Sequence, residues 1–295
     1  MSINYCEKER VFTLQTQNAT YQMIVDSHGY LLHCYYGAKI ERQNLSYCIQ
    51  PQDRGFAANP PDAAGDRTLS PDTLPQEYST FGVGDFRESC LDVRDKNGGV
   101  AADLRYGSYR IYPGKKPLNG LPAAYGNEKD VDTLEIDLRD EVSGLVVTLR
   151  YSVFAQWDVI ARSAEIFNRG TGVLILERAL SCCLDEPVPA SRDILTFYGR
   201  HMGERNLERM PLRHGKFRVD SMRGASSPHY NPFVILCDSA ATETAGNCWA
   251  FSLVYSGNFI AQAEVDQIDT LRFVMGIAPQ NFSWELKPGA SFQAP

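Results

Sequence analysis

Long apolar runs are missing from this sequence. No segment approaches the roughly 18 uninterrupted apolar residues of a membrane-spanning helix. The first ten residues, MSINYCEKER, also lack the apolar stretch of a secretory signal. A cytoplasmic location without a membrane role is therefore the expectation. Clusters of positive charge are missing too: 29 Lys and Arg against 36 Asp and Glu leave a net charge of −7, with the basic residues spread along the chain. That gives no footing for nucleic-acid binding. The eight cysteines (6, 34, 48, 90, 182, 183, 237 and 248) contain no C-x-x-C spacing, and the five histidines form no H-E-x-x-H. The usual zinc and dithiol signatures are thereby excluded, and the cysteines read as reduced thiols acting as small hydrophobes. There is no G-x-S-x-G elbow, P-loop or G-x-G-x-x-G fingerprint; GVGDF at Gly82 lacks the third glycine and reads as a turn entering a strand. Neither a metal nor a cofactor is expected.

Helical periodicity is scarce, and strand alternation takes its place. TLEIDLR sets Leu134, Ile136 and Leu138 against Glu135, Asp137 and Arg139, the pattern of a strand with one wet face. LVVTLRYSVF alternates Leu145, Val147, Leu149, Tyr151 and Val153. Turn signals such as DSHG, DKNGG, EVSG, NRGTG, YSGN and KPGA separate such runs at hairpin intervals. Only GERNLERMPL (203–212) reads as a short helical turn, closed by Pro211 and Gly215. The chain has 43% hydrophobic residues and no internal repeat or linker. The fold expected is all-β: a large two-sheet antiparallel β-sandwich with one short helix, as a single domain over residues 1–295.

One stretch breaks the alternation. GDRTLSPDTLPQEYSTFGVGDFR (Gly65–Arg87) is rich in Pro, Gly, Ser, Thr and Asp, yet carries Leu69, Leu74, Tyr78, Phe81 and Phe86. A disordered linker would lack those side chains. Long irregular loops with apolar content of their own are usually functional or interfacial.

The same stretch resembles the signature of the amino-terminal domain of glycoside hydrolase family 36 α-galactosidases, a DRT(F/L)S-x-DTLPQEY core leading into a DFR turn. The resemblance continues through FRVDSMRGASSPHYNPFVIL (Phe217–Leu236) and WAFSLVYSGNF (Trp249–Phe259), and ends with LRFVMGIAPQNFSWELKPGASFQAP. It covers nearly the whole chain. It implies a β-supersandwich that precedes a catalytic (β/α)₈ barrel and a small carboxy-terminal β domain. The family is a retaining glycosidase whose two catalytic aspartates lie in barrel motifs, one of them K-W-D, and no KWD occurs here. On that resemblance the chain holds no catalytic residue, and as an isolated fragment it is expected to be inactive on α-galactosides.

The resemblance also assigns partners and a site. Family members are commonly homotetramers in which amino-terminal loops of one subunit reach the substrate pocket of another, and Gln50–Arg87 resembles that loop region. Asp53 would accept a hydrogen bond from a sugar hydroxyl, and Arg67 would donate one or brace the loop. The alternatives are that Asp53 caps the turn QPQDRG and that Arg67 pairs within the loop. FYGRHMGERNLERMPL (Phe197–Leu212) is similar to a family stretch that often carries Trp where this chain has His201, a weaker stacking group; Glu204 and Arg205 match the pattern as structural ion-pair partners. Three further readings stay open: a free-standing carbohydrate-binding module, a mutarotase-like sugar epimerase needing an internal His/Glu pair such as His214 and Glu264, and a scaffold for oligomers.

Overall fold

A computed structural model describes residues 2–295 apart from positions 42, 54, 56–58, 188–189 and 226. In chain order the strands are β1 (Ile3–Cys6), β2 (Val11–Gln15), β3 (Ala19–Val25), β4 (Leu31–Ala38), β5 (Leu91–Asp95), β6 (Arg105–Pro113), β7 (Asp132–Asp140), β8 (Leu145–Phe154) and β9 (Val159–Asn168). They continue as β10 (Leu174–Asp185), β11 (Arg192–Arg200), β12 (Gly203–Pro211), β13 (Gly215–Ser221), β14 (Tyr230–Asp238) and β15 (Cys248–Ser252). The last four are β16 (Phe259–Val265), β17 (Leu271–Ile277), β18 (Trp284–Leu286) and β19 (Ser291–Ala294). Helical structure among the described residues amounts to single 3₁₀ turns at Ser46–Cys48, Pro61–Ala63 and Ala155–Trp157. The all-β antiparallel class is as the alternation predicts.

Backbone hydrogen bonding groups the strands into four sheets, ordered β1-β2-β3-β4, β19-β9-β8-β7-β6, β12-β11-β14-β15 and β13-β16-β17-β10-β18, with β5 also on β10. The twelve-residue β10 joins two ladders. Its first half pairs with β5 and β18, its second half with β17, and register shifts at 176/178 and 180/182 re-aim it between them. Bulges of this kind bend a strand and raise its twist, which lets one strand serve two surfaces. A single buried cluster joins the sheets, with Phe12 and Met23 from the first, Ile136 and Tyr151 from the second, Ile194 and Val234 from the third and Phe259 and Phe273 from the fourth.

Two sequence expectations are corrected. GERNLERMPL is not a helical turn, because its residues 203–211 form β12, hydrogen-bonded to β11 from Asp193↔Pro211 to Arg200↔Gly203. The polar face of β7 is not wet either. Glu135 and Asp137 are 2% and 6% exposed, because Arg110, Arg150 and Tyr112 close over Glu135 while Ser108 and Thr148 donate to Asp137. Of the turn signals, DSHG and EVSG close hairpins, between β3 and β4 and between β7 and β8, whereas DKNGG, NRGTG, YSGN and KPGA connect strands of different sheets. Gly144, at φ +76°, approaches Gly170 so closely that a Cβ would sit 2.5 Å from its backbone, a contact only glycine permits.

The irregular loop is sewn into this frame. Residues 70–80 are buried except Thr73, and a buried backbone must find partners. The His33 amide donates to Pro75 O, the Glu77 amide to Leu31 O, and the Cys90 and Leu91 amides to Ser79 O. At the loop's end Asp85 and Arg87 enter an ion network. Arg272, 1% exposed, donates from Nε and Nη2 to the two carboxylate oxygens of Asp185 at 2.7 Å each, from Nη2 to Asp85 Oδ2 at 2.6 Å and from Nη1 to Glu88 O at 2.9 Å. Arg87 forks onto Asp85 and donates to Pro71 O and Leu74 O. Burial works to raise the Asp85 carboxyl, but Arg272 and Arg87 hold it below the ordinary range.

Replacing Arg272 by Met leaves the buried Asp85 and Asp185 with Arg87 as the one guanidinium they share, and removing one partner of a buried ionic group costs about 3–5 kcal/mol. Urea unfolding of R272M should show that loss as a lower midpoint. R94M, which breaks the exposed Arg94–Glu177 pair, should leave the midpoint in place.

Candidate functional site

Between β4 and β5 the chain runs through a long loop whose outer part is exposed. Asp53 and Arg67 meet there: Arg67 Nε donates to Asp53 Oδ1 at 2.9 Å, with side chains 64% and 60% exposed for Arg67 and Asp53. The pairing within the loop, one of the two alternatives for Arg67, is present, and both side chains are largely exposed. Residue 54 of the QPQDRG turn lies outside the described residues, as does 226 in the Phe217–Leu236 stretch.

Local bonds fix the shape of this outer loop. Asp66 accepts from the Thr68 amide and hydroxyl at 2.9 and 2.7 Å, and the Thr68 hydroxyl bond draws its carboxyl below the usual range. Asn59 Nδ2 donates to Leu69 O and Asp66 O. Asp62 takes Arg105 at 3.2 Å and His28 at 3.5 Å, with the Arg105 hydrogen bond the main cause of its lowered pKa. Of the loop's apolar groups, Leu74 and Tyr78 are buried, whereas Phe81 and Phe86 stand 47% and 69% exposed.

Beneath the loop lies a group that the sequence did not single out. Glu77 is fully buried and accepts from Tyr21 Oη at 2.6 and 2.8 Å and Tyr151 Oη at 2.6 Å. Arg162 Nη2 lies 2.8 Å from Glu77 Oε1, and His33 Nδ1 lies 3.4 Å from Oε2. Burial pushes the Glu77 carboxyl up, and Arg162, His33 and the Tyr151 hydroxyl more than offset it, so the net shift is downward. No local spacing announces this cluster, because its members come from β3, β4, the loop, β8 and β9.

His201 sits apart in sequence, at the exposed tip of the β11–β12 hairpin beside Met202, whose φ is +63°. Glu204 Oε1 accepts from the Met202 amide at 2.9 Å. The ion-pair role expected of Glu204 and Arg205 does not appear, since neither forms an ion pair among the described residues, and Arg205 sits at φ +55° at the start of β12. His214 and Glu264 do not act on each other either. His214 Nε2 is 2.9 Å from Asp269 Oδ1, and Glu264 Oε2 accepts from the Glu88 amide at 2.7 Å.

Chemically the outer loop offers hydrogen-bonding edges. Glycoside hydrolysis needs two carboxylates facing a substrate cavity, whereas Asp85 and Asp185, which do converge, are consumed by Arg272 and 2% and 1% exposed. Among the described residues no group of three or more His, Cys, Asp and Glu side chains could hold a metal ion.

Comparison with known proteins identifies the frame. The family model of the Glycosyl hydrolase family 36 N-terminal domain matches residues 29–287. The chain belongs to that family. Among its relatives is the bifunctional alpha-galactosidase/sucrose kinase AgaSK of Mediterraneibacter gnavus, 47% identical over 295 residues, which are 100% of this chain and 31% of the relative. The crystallised galactosidase domain of AgaSK superposes with a TM-score of 0.97 at 47% identity, over 99% of this chain and 40% of that one. A variant of the alpha-galactosidase AgaA from Geobacillus stearothermophilus, solved in complex with raffinose, superposes with a TM-score of 0.93 at 45% identity, over 97% of this chain and 39% of that one. This family 36 domain thus spans between about a third and two fifths of the length of these relatives.

The downward shift of Glu77 should make the family 36 domain acid-sensitive. A carboxyl whose folded pKa is depressed contributes stability that is complete above its unfolded value, near 4.3, and is lost as the pH falls through the folded one. Urea midpoints taken from about pH 6 down to about pH 3 should fall more steeply for the native chain than for E77Q, which is less stable at neutral pH but lacks that titration. Parallel slopes would refute the assignment.

Proposed function

We propose that this chain is the non-catalytic amino-terminal domain, a single supersandwich over residues 1–295, of a cytoplasmic retaining α-galactosidase that removes terminal α-galactosyl groups. The observation that carries the reading is the family match over residues 29–287, together with relatives named alpha-galactosidases of which the chain spans at most two fifths. In this reading the parent enzyme is a homotetramer. The domain helps assemble it and turns its outer loop toward a neighbouring subunit's substrate pocket.

The division within the loop supports that role. Its inner half is fastened by buried hydrogen bonds and the Arg87–Asp85–Arg272 network, while Asp53, Arg67, Phe81 and Phe86 are left on the outside. A fastened base holding exposed polar edges and aromatic rings suits a loop that meets another surface. Asp53 and Arg67 are assigned to hydrogen-bond the sugar, each holding the other in place beforehand. His201, on its projecting hairpin, is assigned a more distant contact with the rest of the substrate.

Two measurements test this. The 295-residue chain alone should not cleave an aryl α-galactoside, and turnover that survives removal of contaminating enzyme would refute the non-catalytic reading. In the full-length enzyme, D53A or R67A should lower kcat/KM about ten- to hundredfold, the effect of losing one charged hydrogen bond worth about 1.5–3 kcal/mol. Their melting temperatures should stay at the native value, since the pair is exposed. Full kcat/KM with a lowered melting temperature would make the pair a brace and remove both residues from the site.

A further inference from the structure

Of the eight cysteines, one stands in the open. Cys248 is exposed whereas the other seven are buried or half-buried, so the small-hydrophobe role that suits the rest does not account for it. Cys248 opens β15, the edge strand of its sheet. The residue directly opposite it on β14 is Cys237, in a register that runs unbroken from Phe233↔Ser252 to Cys237↔Cys248. Cross-strand partners share a face of the sheet. That face is the outer one, because the alternate residues Val234, Leu236 and Phe251 turn into the core.

The ladder's hydrogen bonds fix which kind of pair this is. The Asp238 amide donates to Asn247 O at 3.1 Å and the Leu253 amide to Pro232 O at 3.0 Å. The hydrogen-bonded pairs therefore include 238/247 and 232/253, and alternation makes Cys237 and Cys248 a non-hydrogen-bonded pair. Such pairs bring their Cα atoms to about 4.5 Å with the side chains drawn together, inside the span of about 4.4–6.8 Å that a disulfide bridges. Both thiols are free in this structure. The connection between the two strands is braced meanwhile by Arg209, which donates from Nη1 to Ala241 O at 2.7 Å and from Nη2 to Ser239 O at 3.0 Å, so the thiols stay opposed without a covalent link.

We propose that Cys237 and Cys248 are a reversible redox pair, two thiols under reducing conditions and a cross-strand disulfide when a small-molecule disulfide is in excess. Exposure sets the order of events. Cys248, as its thiolate, attacks one sulfur of the small disulfide, forms a mixed disulfide and expels one thiolate. Cys237, 4% exposed, is closed to that reagent but opposed to Cys248; it attacks the Cys248 sulfur and expels the second thiolate. Two electrons leave the protein, the small disulfide is reduced to two thiols, and the two protons given up by the cysteines end on them. Burial pushes the Cys237 thiol up and the pull of Arg209 does not offset it, so the second step is the slower one. The pair lies on the outer face of β14 and β15 and does not depend on the role given to Asp53 and Arg67.

The test is incubation of the folded 295-residue chain with millimolar oxidised glutathione at mildly alkaline pH, followed by alkylation of the remaining thiols and mass spectrometry. Cleavage after Glu243, which lies between the two cysteines, should leave the fragments carrying Cys237 and Cys248 joined, and dithiothreitol should separate them. C237S, which removes the second nucleophile, should instead keep glutathione on Cys248. C248S, an exposed change that leaves the core untouched, should show neither the link nor glutathione on Cys237. A native chain that retains glutathione on Cys248 without forming the link would overturn the proposal. So would a Cys248 that does not react, one that joins a second copy of the chain in place of Cys237, or a link that forms only in urea.

Discussion

Two aspartates on one buried arginine hold this domain's irregular loop to its sheets. Arg272 comes from β17, Asp185 from the end of β10 and Asp85 from the loop, so the network joins three segments far apart in sequence. Each ion would be prohibitive to bury alone. Together, with Arg87 closing the ring and the Gln76 amide donating to Asp185 Oδ2 at 2.9 Å, they are compensated. The consequence reaches the candidate site: the outer loop can carry exposed polar groups in one place because its base cannot slide along β10.

That arrangement explains a sequence that first looks contradictory. Pro, Gly and Ser set a path that neither helix nor strand follows, while Leu74, Glu77 and Tyr78 point into the interior; Tyr78 Oη, for instance, donates to Leu180 O at 2.8 Å. The loop is irregular because it fills the space between sheets and supplies the polar partners that strand ladders cannot. Its aromatic residues divide accordingly, Tyr78 inward and Phe81 and Phe86 outward.

How much of this could be read from residues alone depends on burial. β8, whose Leu145, Val147, Leu149, Tyr151 and Val153 are all at most 1% exposed, announced itself by strict alternation, and so did the all-β class. β12 did not. It is an edge strand with both faces exposed, so packing imposes no period, and its Glu and Arg residues at 204, 205, 208 and 209 repeat at helix-like spacing. The Glu77 cluster was illegible for another reason: five segments contribute one residue each, and only the fold brings them together. For the outer loop, the resemblance named Asp53 and Arg67, but nothing in their spacing told that they would bond to each other.

The two polar clusters also differ in what they can do. Around Glu77 and around Arg272 most donors and acceptors are used within the chain, and Glu77, Asp85, Asp185 and Arg272 are at most 2% exposed, so these clusters specify the fold. At Asp53–Arg67 the opposite holds: one edge of each group is spent on a neighbour that fixes its direction, and both side chains stand largely exposed. A side chain held by one bond and open at another has already lost much of the freedom that binding would otherwise have to remove. In the proposed reading, recognition therefore belongs at the outer loop, where the hydrogen-bond network stops short of closing.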